Sequence, residues 1–291
     1  MARFNRPSNN IVFQGLPGAY SHLACQHRFP GMNAVPLAAF EDTFAAVRDG
    51  KAKYAMTPIE NSVAGRVADI HRLMPESGLH IVNEHFMRVN HHLLVPKGAT
   101  LKTIRVVRSH VHALSQCCKA IRRLGLEPLV HADTAGAAKE LAEHGDKTEA
   151  AIASALAGKI YGLKSLRANI EDADHNTTRF LVLAKRPLRC KRGEEPLITS
   201  FIFRVRNVPA ALFKAMGGFA TNDVNMTKLE SYMVGGSFDA TQFYADVEGH
   251  PDDRNVKLAL EELAFFTREV RILGTYPADP FRHGGKVDEA E

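Results

Sequence analysis

Short apolar runs alternate along this chain with stretches whose apolar positions recur every three to four residues. The first pattern predicts buried strands, the second amphipathic helices. Ile11-Val12-Phe13-Gln14 reads as a first strand, followed by the turn Gly15-Leu16-Pro17-Gly18-Ala19-Tyr20-Ser21 and a helix over 22–29. A second helix is expected over 43–49 and a strand over 54–59, with Glu60-Asn61-Ser62 at its end. The stretch 65–74 reads as helix. Residues 79–95 are β-rich and long enough to pass between two lobes. A strand at 104–107 leads to a helix opened by Ser109-His110 and running to about 124. Beyond a strand at 127–130, Asp133-Thr134 caps a helix through Glu143. A short strand at 150–152 precedes an Ala-rich helix at 154–161, and 178–183 is a return strand. Strand and helix at short intervals argue for α/β layers. The polar clusters follow strand ends, where open α/β sheets place ligands. Two lobes flanking a cleft are the expected architecture.

After residue 188 the rhythm changes. The patterns predict a strand at 199–206, a helix at 209–221 with Pro209 in its first turn, and strands at 224–234 and 238–247. Gly235-Gly236-Ser237 is a hairpin turn signal between those strands. A helix at 252–266 and a strand at 270–274 complete the order βαββαβ, that of a ferredoxin-like sandwich. Such units commonly pair edge to edge. The expected division is a bilobed domain at 10–188, a linker at 189–197 and the second module at 198–282. Within the first domain, one lobe holds about 10–90 plus 176–188 and the other about 91–175. Residues 1–9 and 283–291 are expected to be disordered.

Composition narrows the function classes. The chain has 291 residues, 45% of them hydrophobic, so a sizeable core can form. Lys and Arg number 37 against 32 Asp and Glu, a net charge of +5. The densest basic patch, Lys185-Arg186-Pro187-Leu188-Arg189-Cys190-Lys191-Arg192, is broken by proline and followed by Gly193-Glu194-Glu195-Pro196. It reads as a solvated linker, so no nucleic-acid partner is expected. A mild positive bias suits a small anionic substrate. Cys25, Cys117, Cys118 and Cys190 contain no C-x-x-C pair and no zinc spacing. Reduced thiols, no signal peptide and no membrane-spanning run make a cytoplasmic protein the expectation.

Gly15-Leu16-Pro17-Gly18 lacks the glycine pattern and the Lys-Ser/Thr of a nucleotide loop. The helix start beyond it can still hold an anion, and Ser21 reads either as part of that site or as an N-cap. Glu60-Asn61-Ser62 is either a turn whose side chains satisfy the backbone or an anion cradle of amide and hydroxyl donors. Ser109 and Gln116 lie seven apart, near one helical face, with Ser109 as N-cap the plainer reading. His110 and His112 would splay apart on a helix, so no metal pair is expected. His91 and His92 would point to opposite faces of a strand. Thr178-Arg179-Phe180 brings a hydroxyl, a cation and a ring to a strand mouth. Alternation puts Thr178 and Phe180 on one face, the expected cleft pair, and leaves Arg179 as a surface charge.

Taken together these segments resemble prephenate dehydratases. The matching pieces are Phe13-Gln14-Gly15 with Gly18-Ala19-Tyr20-Ser21; Pro58-Ile59-Glu60-Asn61-Ser62 with Gly65; Asn90-His91-His92-Leu93-Leu94; Ser109-His110 with Ala113-Leu114 and Gln116-Cys117; Asp133-Thr134-Ala135; Tyr161-Gly162-Leu163; and Asn176-Thr177-Thr178-Arg179-Phe180. They run in order over about 11–185. Val111-His112 stands where the family usually has Pro-Gln. Residues 198–282 look like the ACT regulatory domain that often follows, with Ala210-Ala211-Leu212 in place of Gly-Ala-Leu and Glu230-Ser231-Tyr232-Met233 in place of Glu-Ser-Arg-Pro.

The resemblance implies a bilobed fold similar to periplasmic binding proteins, with prephenate in the cleft. The reaction loses carbon dioxide and water and yields phenylpyruvate. Aromatisation drives it, so neither a cofactor nor a metal is expected. Thr178 matches the catalytic threonine, which would hydrogen-bond the departing hydroxyl. Asn61, Ser109 and Gln116 match positions tied to substrate handling. Ser21, Glu60, Ser62, Thr177, Arg179 and Phe180 complete the expected substrate site, with Phe180 stacking on the product ring. L-Phenylalanine is the expected effector, bound between paired ACT modules at Asn207, Ala210, Ala211, Leu212, Asn225, Met226, Thr227, Glu230 and Ser231. The chain is accordingly expected to form a homodimer or homotetramer. Arogenate dehydratase is the alternative within the class; a non-catalytic amino-acid-sensing binding protein is the alternative outside it.

Overall fold

A computed structural model describes residues 6–233 and 242–287. The turn expected at Gly235-Gly236-Ser237 and the strand ends beside it lie outside the described residues, as do 1–5 and 288–291. Of the other terminal residues, Pro7–Asn9 form a 3-10 turn, and His283 closes a second one at Pro280–His283. Disorder was the expectation for 6–9 and 283–287.

In chain order the first elements are β1 (Asn10–Gln14), α1 (Tyr20–Arg28), β2 (Asn33–Leu37), α2 (Phe40–Arg48), β3 (Tyr54–Asn61), β4 (Gly65–Arg66), α3 (Ala68–Leu73) and β5 (His80–Arg88). Then follow β6 (His92–Val95), β7 (Val106–Ser109), α4 (Val111–Gln116), α5 (Cys118–Leu124), β8 (Glu127–Val130), α6 (Thr134–His144), β9 (Glu149–Ala153), α7 (Ala155–Tyr161), β10 (Lys164–Arg167) and β11 (Thr177–Ala184). The last are β12 (Leu197–Val205), α8 (Ala211–Thr221), β13 (Met226–Tyr232), β14 (Gln242–Glu248), α9 (Arg254–Phe266) and β15 (Thr267–Pro277).

These strands form three sheets. The first has the order β2-β1-β3-β11-β5, with β4 hairpinned onto β3. The second has the order β10-β6-β9-β7-β8. The chain passes from the first sheet to the second after β5 and returns with β11. Two segments make the crossing side by side: the Val89 N–H donates to the Asn176 carbonyl at 2.8 Å. What read as one β-rich stretch over 79–95 is therefore two strands in different sheets, broken at 89–91.

Several differences from the sequence reading have local causes. β2 was missed because it contains Pro36; as the outermost strand of its sheet it can do without that N–H. Gly65, at φ +82°, turns the chain into β4, so the helix expected from 65 begins only at Ala68. The helix expected from 109 to 124 is interrupted at Cys117, whose φ and ψ of −115° and 20° leave the helical basin. α8 starts at Ala211 because Ala210 is left-handed, at φ 61°, and Pro209 stands outside the helix. The cap at Asp133 forms as the sequence indicates, and Ser154, read as the first residue of its helix, is the N-cap instead. The Asp133 carboxylate accepts from Gly136 N at 2.6 Å, and the Ser154 hydroxyl accepts from Ala157 N at 3.0 Å.

Two cores cover the two faces of the second sheet. Along β9, Ala150 and Ile152 join Val107, Leu114 and Ile121, while Ala151 and Ala153 join Ala137, Leu141 and Ala157. Strand alternation puts successive side chains on opposite faces. All four cysteines are free thiols. Burial pushes the Cys25 and Cys117 thiols up, so both behave as small apolar residues.

The third sheet is antiparallel, in the order β13-β14-β12-β15, and follows the expected βαββαβ course. Its helix-facing core is aromatic: Phe201 and Phe203 of β12 and Phe243 of β14 pack with Phe219 of α8 and Leu263 of α9. The chain divides into two compact units. One holds the described parts of Met1–Val67, His85–Phe180 and Gly285–Glu291, the other Ala68–Glu84 and Leu181–Gly284. Residues 68–84 thus cluster with the third sheet rather than with 10–67. Gly274 of β15 is one reason: a Cβ there would stand 2.0 Å from the Ile81 carbonyl oxygen, so only glycine allows this approach. Glu84 is fully buried in the same unit, where Arg282 grips both carboxylate oxygens at 2.6 and 2.9 Å.

Candidate active site

The site is built at the two crossings between the first and second sheets. Asn61 ends β3, Asn176 and Thr178 stand at the start of β11, Gln116 ends α4 and His91 lies just before β6. Turn geometry fixes the first of these side chains. The Asn61 Oδ1 accepts from the backbone N–H of Val63 at 2.9 Å and of Ala64 at 2.8 Å, an Asx turn closing the β3–β4 hairpin. Its amide nitrogen must then face the other way. Nδ2 donates to Asn176 Oδ1 at 2.8 Å and to Thr178 Oγ1 at 2.9 Å. The turn reading of Glu60-Asn61-Ser62 thus holds at Asn61, whose amide nitrogen is taken up by Asn176 and Thr178.

The orientation propagates. With its oxygen facing Asn61, Asn176 donates through Nδ2 to Gln116 Oε1 at 3.1 Å. Gln116 therefore turns Nε2 toward the opposite side, where Asn61 Oδ1 lies at 3.4 Å. Each amide has one way round that satisfies its neighbours. Thr178 is the end of the line. Its oxygen is used as an acceptor, and among the described residues its O–H has no acceptor. The hydroxyl is held in place with its proton unspent. Thr178 is 8% exposed, so this donor lies nearly out of water.

Other expected residues take different roles. Arg179 is not a surface charge: it is 2% exposed and donates to Glu60 Oε1 at 3.1 Å, with Phe86 under its guanidinium. The expectation failed because both faces of β11 are covered, so alternation does not bring either face to solvent. Phe180 is likewise buried, a core ring rather than a face open to a ligand. Ser109 is fully buried and ends β7; its proton goes to the Ile152 carbonyl at 2.6 Å. It does not cap α4. His110 does, its Nδ1 accepting from His112 N at 3.3 Å. Ser109 and Gln116 therefore share no helix. Ser62 brackets the crossing, donating to the His175 carbonyl at 2.7 Å and accepting from Thr177 N at 2.9 Å. Thr177 and Ser62 are thus tied through the backbone. Ser21 lies inside α1, which Ala19 caps without a side-chain bond, so the N-cap reading does not hold. Among the described residues the Ser21 hydroxyl makes no hydrogen bond.

Three members of this network were outside the expected site. Asn176 and Tyr20 were quoted only as parts of motifs, and His91 otherwise only for the strand face it would take. His91 is 2% exposed, with Nε2 at 2.9 Å from Gln116 Oε1 and Nδ1 at 2.8 Å from the Tyr20 hydroxyl. That hydroxyl is also 2.8 Å from the Asn90 carbonyl. Burial lowers the His91 pKa; its bond to Gln116 and the charge of Glu171 oppose the shift, and His92 adds to it. Burial likewise pushes the Tyr20 phenol well up. His92, the first residue of β6, faces Ser165 Oγ at 3.0 Å, while His91 lies outside the strand, so the alternation expected of the pair does not apply.

A family model for prephenate dehydratase matches residues 11–188, which contain every residue of this network. The chain belongs to the prephenate dehydratase family. It is 53% identical over 272 residues to a bifunctional N-acyl-homoserine lactone acylase/prephenate dehydratase of Komagataeibacter europaeus, covering 94% of this chain and 97% of the relative. It is 39% identical to arogenate dehydratase/prephenate dehydratase 1 of Arabidopsis thaliana, covering 94% of this chain and 73% of the plant protein. Among solved structures, the prephenate dehydratase of Arthrobacter aurescens in complex with L-Phe superposes with a TM-score of 0.84 at 28% identity, over 92% of this chain and 90% of that one. The chain is accordingly a lyase of the prephenate and arogenate dehydratase group.

The expected effector residues fall in the second unit. Asn207 and Ala210 lie in the connection from β12 to α8 and Ala211 and Leu212 open α8, while Asn225 precedes β13 and Met226, Thr227, Glu230 and Ser231 run along it. The register separates them. Arg204 and Tyr232 both lie opposite Gln242, so residues 207–212 share one end of the sheet with Glu230 and Ser231. Met226 lies opposite Val247, toward the other end. Thr227 accepts from Arg282 Nη1 at 3.3 Å. β13 is the outermost strand of its sheet. No helix among the described residues is long and apolar enough to cross a membrane.

Proposed function

We propose that this chain converts prephenate to phenylpyruvate, and that Thr178 assists the departing hydroxyl. The C–CO2⁻ bond breaks and its electron pair enters the ring while the ring C–O bond breaks. Carbon dioxide leaves, and the oxygen departs as hydroxide that takes one proton to become water. The observation that carries the reading is the Thr178 hydroxyl, whose lone pair is occupied by Asn61 and whose proton has no protein acceptor among the described residues. A donor held that way stabilises charge as it develops on the leaving oxygen. A threonine hydroxyl is a very weak acid, so the proton comes finally from water relayed past it. Acid assistance of this kind is worth roughly 10²–10⁴ in rate.

The substrate carboxylates are met by neutral donors: the Gln116 amide, the Ser21 hydroxyl and the N–H groups opening α1. Arg179 is committed to Glu60 and supports the strand rather than clamping substrate. The catalytic domain is taken as 10–188 and the ACT regulatory domain as 198–282. In this reading L-phenylalanine, the ligand of the Arthrobacter aurescens relative, binds where β13 edges of two copies meet. The protein acts in the cytoplasm as a homodimer or a pair of dimers.

The test is direct. Purified protein is given prephenate and, separately, arogenate, and phenylpyruvate and phenylalanine are followed. Turnover of prephenate that falls at least 100-fold in Thr178→Val, with folding unchanged, is the expected result. Preference for arogenate, a substrate of the plant relatives, would move the assignment within the class. An undiminished Thr178→Val enzyme would remove it. A second activity, amide hydrolysis of an N-acyl-homoserine lactone, is favoured by the match over 97% of the Komagataeibacter europaeus relative. Release of free homoserine lactone from such a substrate is the result that would establish it.

A further inference from the structure

We propose that His91, held by Tyr20, is a positioning residue for the dehydratase reaction: it sets which way Gln116 presents its amide to the substrate. The inference rests on the reading of Thr178, Asn61 and Gln116 as the reaction site. The starting point is a matter of hydrogen-bond polarity. Backbone N–H groups fix Asn61, Asn61 fixes Asn176, and Asn176 donates into Gln116 Oε1. That oxygen is an acceptor, so His91 Nε2, 2.9 Å away, must carry a proton and donate to it. Burial keeps the ring neutral near pH 7, and Nδ1 is then the unprotonated nitrogen, facing the Tyr20 hydroxyl at 2.8 Å. The Gln116 side sets this tautomer; the Tyr20 hydroxyl, with one proton to give, stands 2.8 Å from both Nδ1 and the Asn90 carbonyl.

The consequence falls on Gln116. An isolated amide side chain has two orientations differing by a half-turn, and only hydrogen bonds distinguish them. Here Oε1 is pinned by two donors, His91 and Asn176. The Nε2 group then faces Asn61 Oδ1 at 3.4 Å, a long contact that leaves donor capacity for an anionic substrate. Remove the His91 donor and only one bond resists the half-turn that would aim a carbonyl oxygen at a carboxylate. His91 itself is tied at its backbone: its N–H donates to Glu171 Oε2 at 2.8 Å and its carbonyl accepts from Ile170 N at 3.1 Å. The Tyr20 ring stands edge-on to it at 5.5 Å. The ring cannot swing to follow a displaced Gln116.

The variants that test this differ in where they place a donor. His91→Gln can put an N–H near the Nε2 position; His91→Asn reaches only the Nδ1 position. The expected result is that His91→Asn lowers kcat/KM by about 10–100-fold, chiefly through KM, as loss of one buried hydrogen bond and misorientation of a second would give. His91→Gln should recover most of that loss. The deciding measurement is a double-mutant cycle with Gln116→Ala. A positioning residue loses its effect when the residue it positions is gone, so His91→Asn/Gln116→Ala should match Gln116→Ala alone. A residue needed only for folding would lower both backgrounds equally. The cycle is run on whichever of prephenate and arogenate the wild-type enzyme turns over, with the folded fraction of each variant measured by thermal melting. Wild-type kcat/KM in His91→Asn would overturn the proposal, as would an equal loss in the Gln116→Ala background; either leaves the Thr178 reading standing. Turnover of neither substrate removes that reading and this one with it. If His91→Asn does not fold, Tyr20→Phe replaces it in the same cycle, with an expected loss of about 3–10-fold that disappears in Gln116→Ala.

Discussion

Asn61→Asp changes one atom and inverts the polarity of the whole site. The oxygen that accepts from Val63 and Ala64 is retained, so the β3–β4 hairpin keeps its Asx turn. The atom replaced is the donor, 2.8 Å from Asn176 Oδ1 and 2.9 Å from Thr178 Oγ1. A carboxylate oxygen there attracts the Thr178 proton, which is then no longer offered to a leaving group. The loss of that assistance is worth roughly 10²–10⁴ in rate. Asn176 must also turn over to present its N–H₂, which sets oxygen against oxygen at Gln116. In addition a new negative charge faces a dianionic substrate. Two unit charges roughly 5 Å apart at an effective dielectric of about 20 repel by about 3 kcal/mol, or about 100-fold in binding. The expected outcome is a fall of at least about 1,000-fold in kcat/KM for phenylpyruvate formation, with a melting temperature within a few degrees of wild type. Asn61→Asp activity within tenfold of the parent, in a folded protein, would refute the claim that Asn61 holds Thr178 as a donor.

Three further outcomes are expected. Glu60→Gln removes the anion facing a guanidinium that is 2% exposed; because the Glu60 side chain itself is 32% exposed, the expected loss is about 1–3 kcal/mol, read from urea unfolding. Gly18→Ala strains a residue at φ +92° and drives its Cβ to 2.7 Å from the Ala157 Cα, so a loss of more than about 2 kcal/mol is expected; a wild-type melting temperature would show that the β1–α1 turn is free to move away from α7. Because burial holds the His91 pKa below its ordinary 6.5, the unfolded chain takes up a proton that the folded one resists. Its share of stability is therefore present above about pH 6.5 and is lost as pH falls below that value. His91→Gln should flatten the stability profile between about pH 6.5 and 5 relative to wild type, and parallel profiles would sink the assignment of a neutral ring.

Much of the plan was legible along the chain. Local signals reported local structure: Asp133 capped the helix it precedes, and the short apolar runs became strands. The motif residues Asn61, Gln116 and Thr178 also proved to be mutual neighbours. Other features needed partners distant in sequence. Thr178 and Asn61 are 117 residues apart, and His91 meets Gln116 only because two crossing segments run side by side. Arg179 read as a surface charge because nothing in its neighbourhood along the chain announces Glu60 or the burial of β11.

The amino-acid sequence by itself determined most of the elements and the family, since these follow from periodicity, caps and short motifs that act within a few residues. The tertiary structure alone decided direction: which end of each amide faces which neighbour, which hydroxyl keeps a proton to give, and which charges are spent on one another. Hydrogen-bond polarity is a property of closed neighbourhoods in space, and the chain closes this one only when β3, α4, β6 and β11 have been brought to the same place.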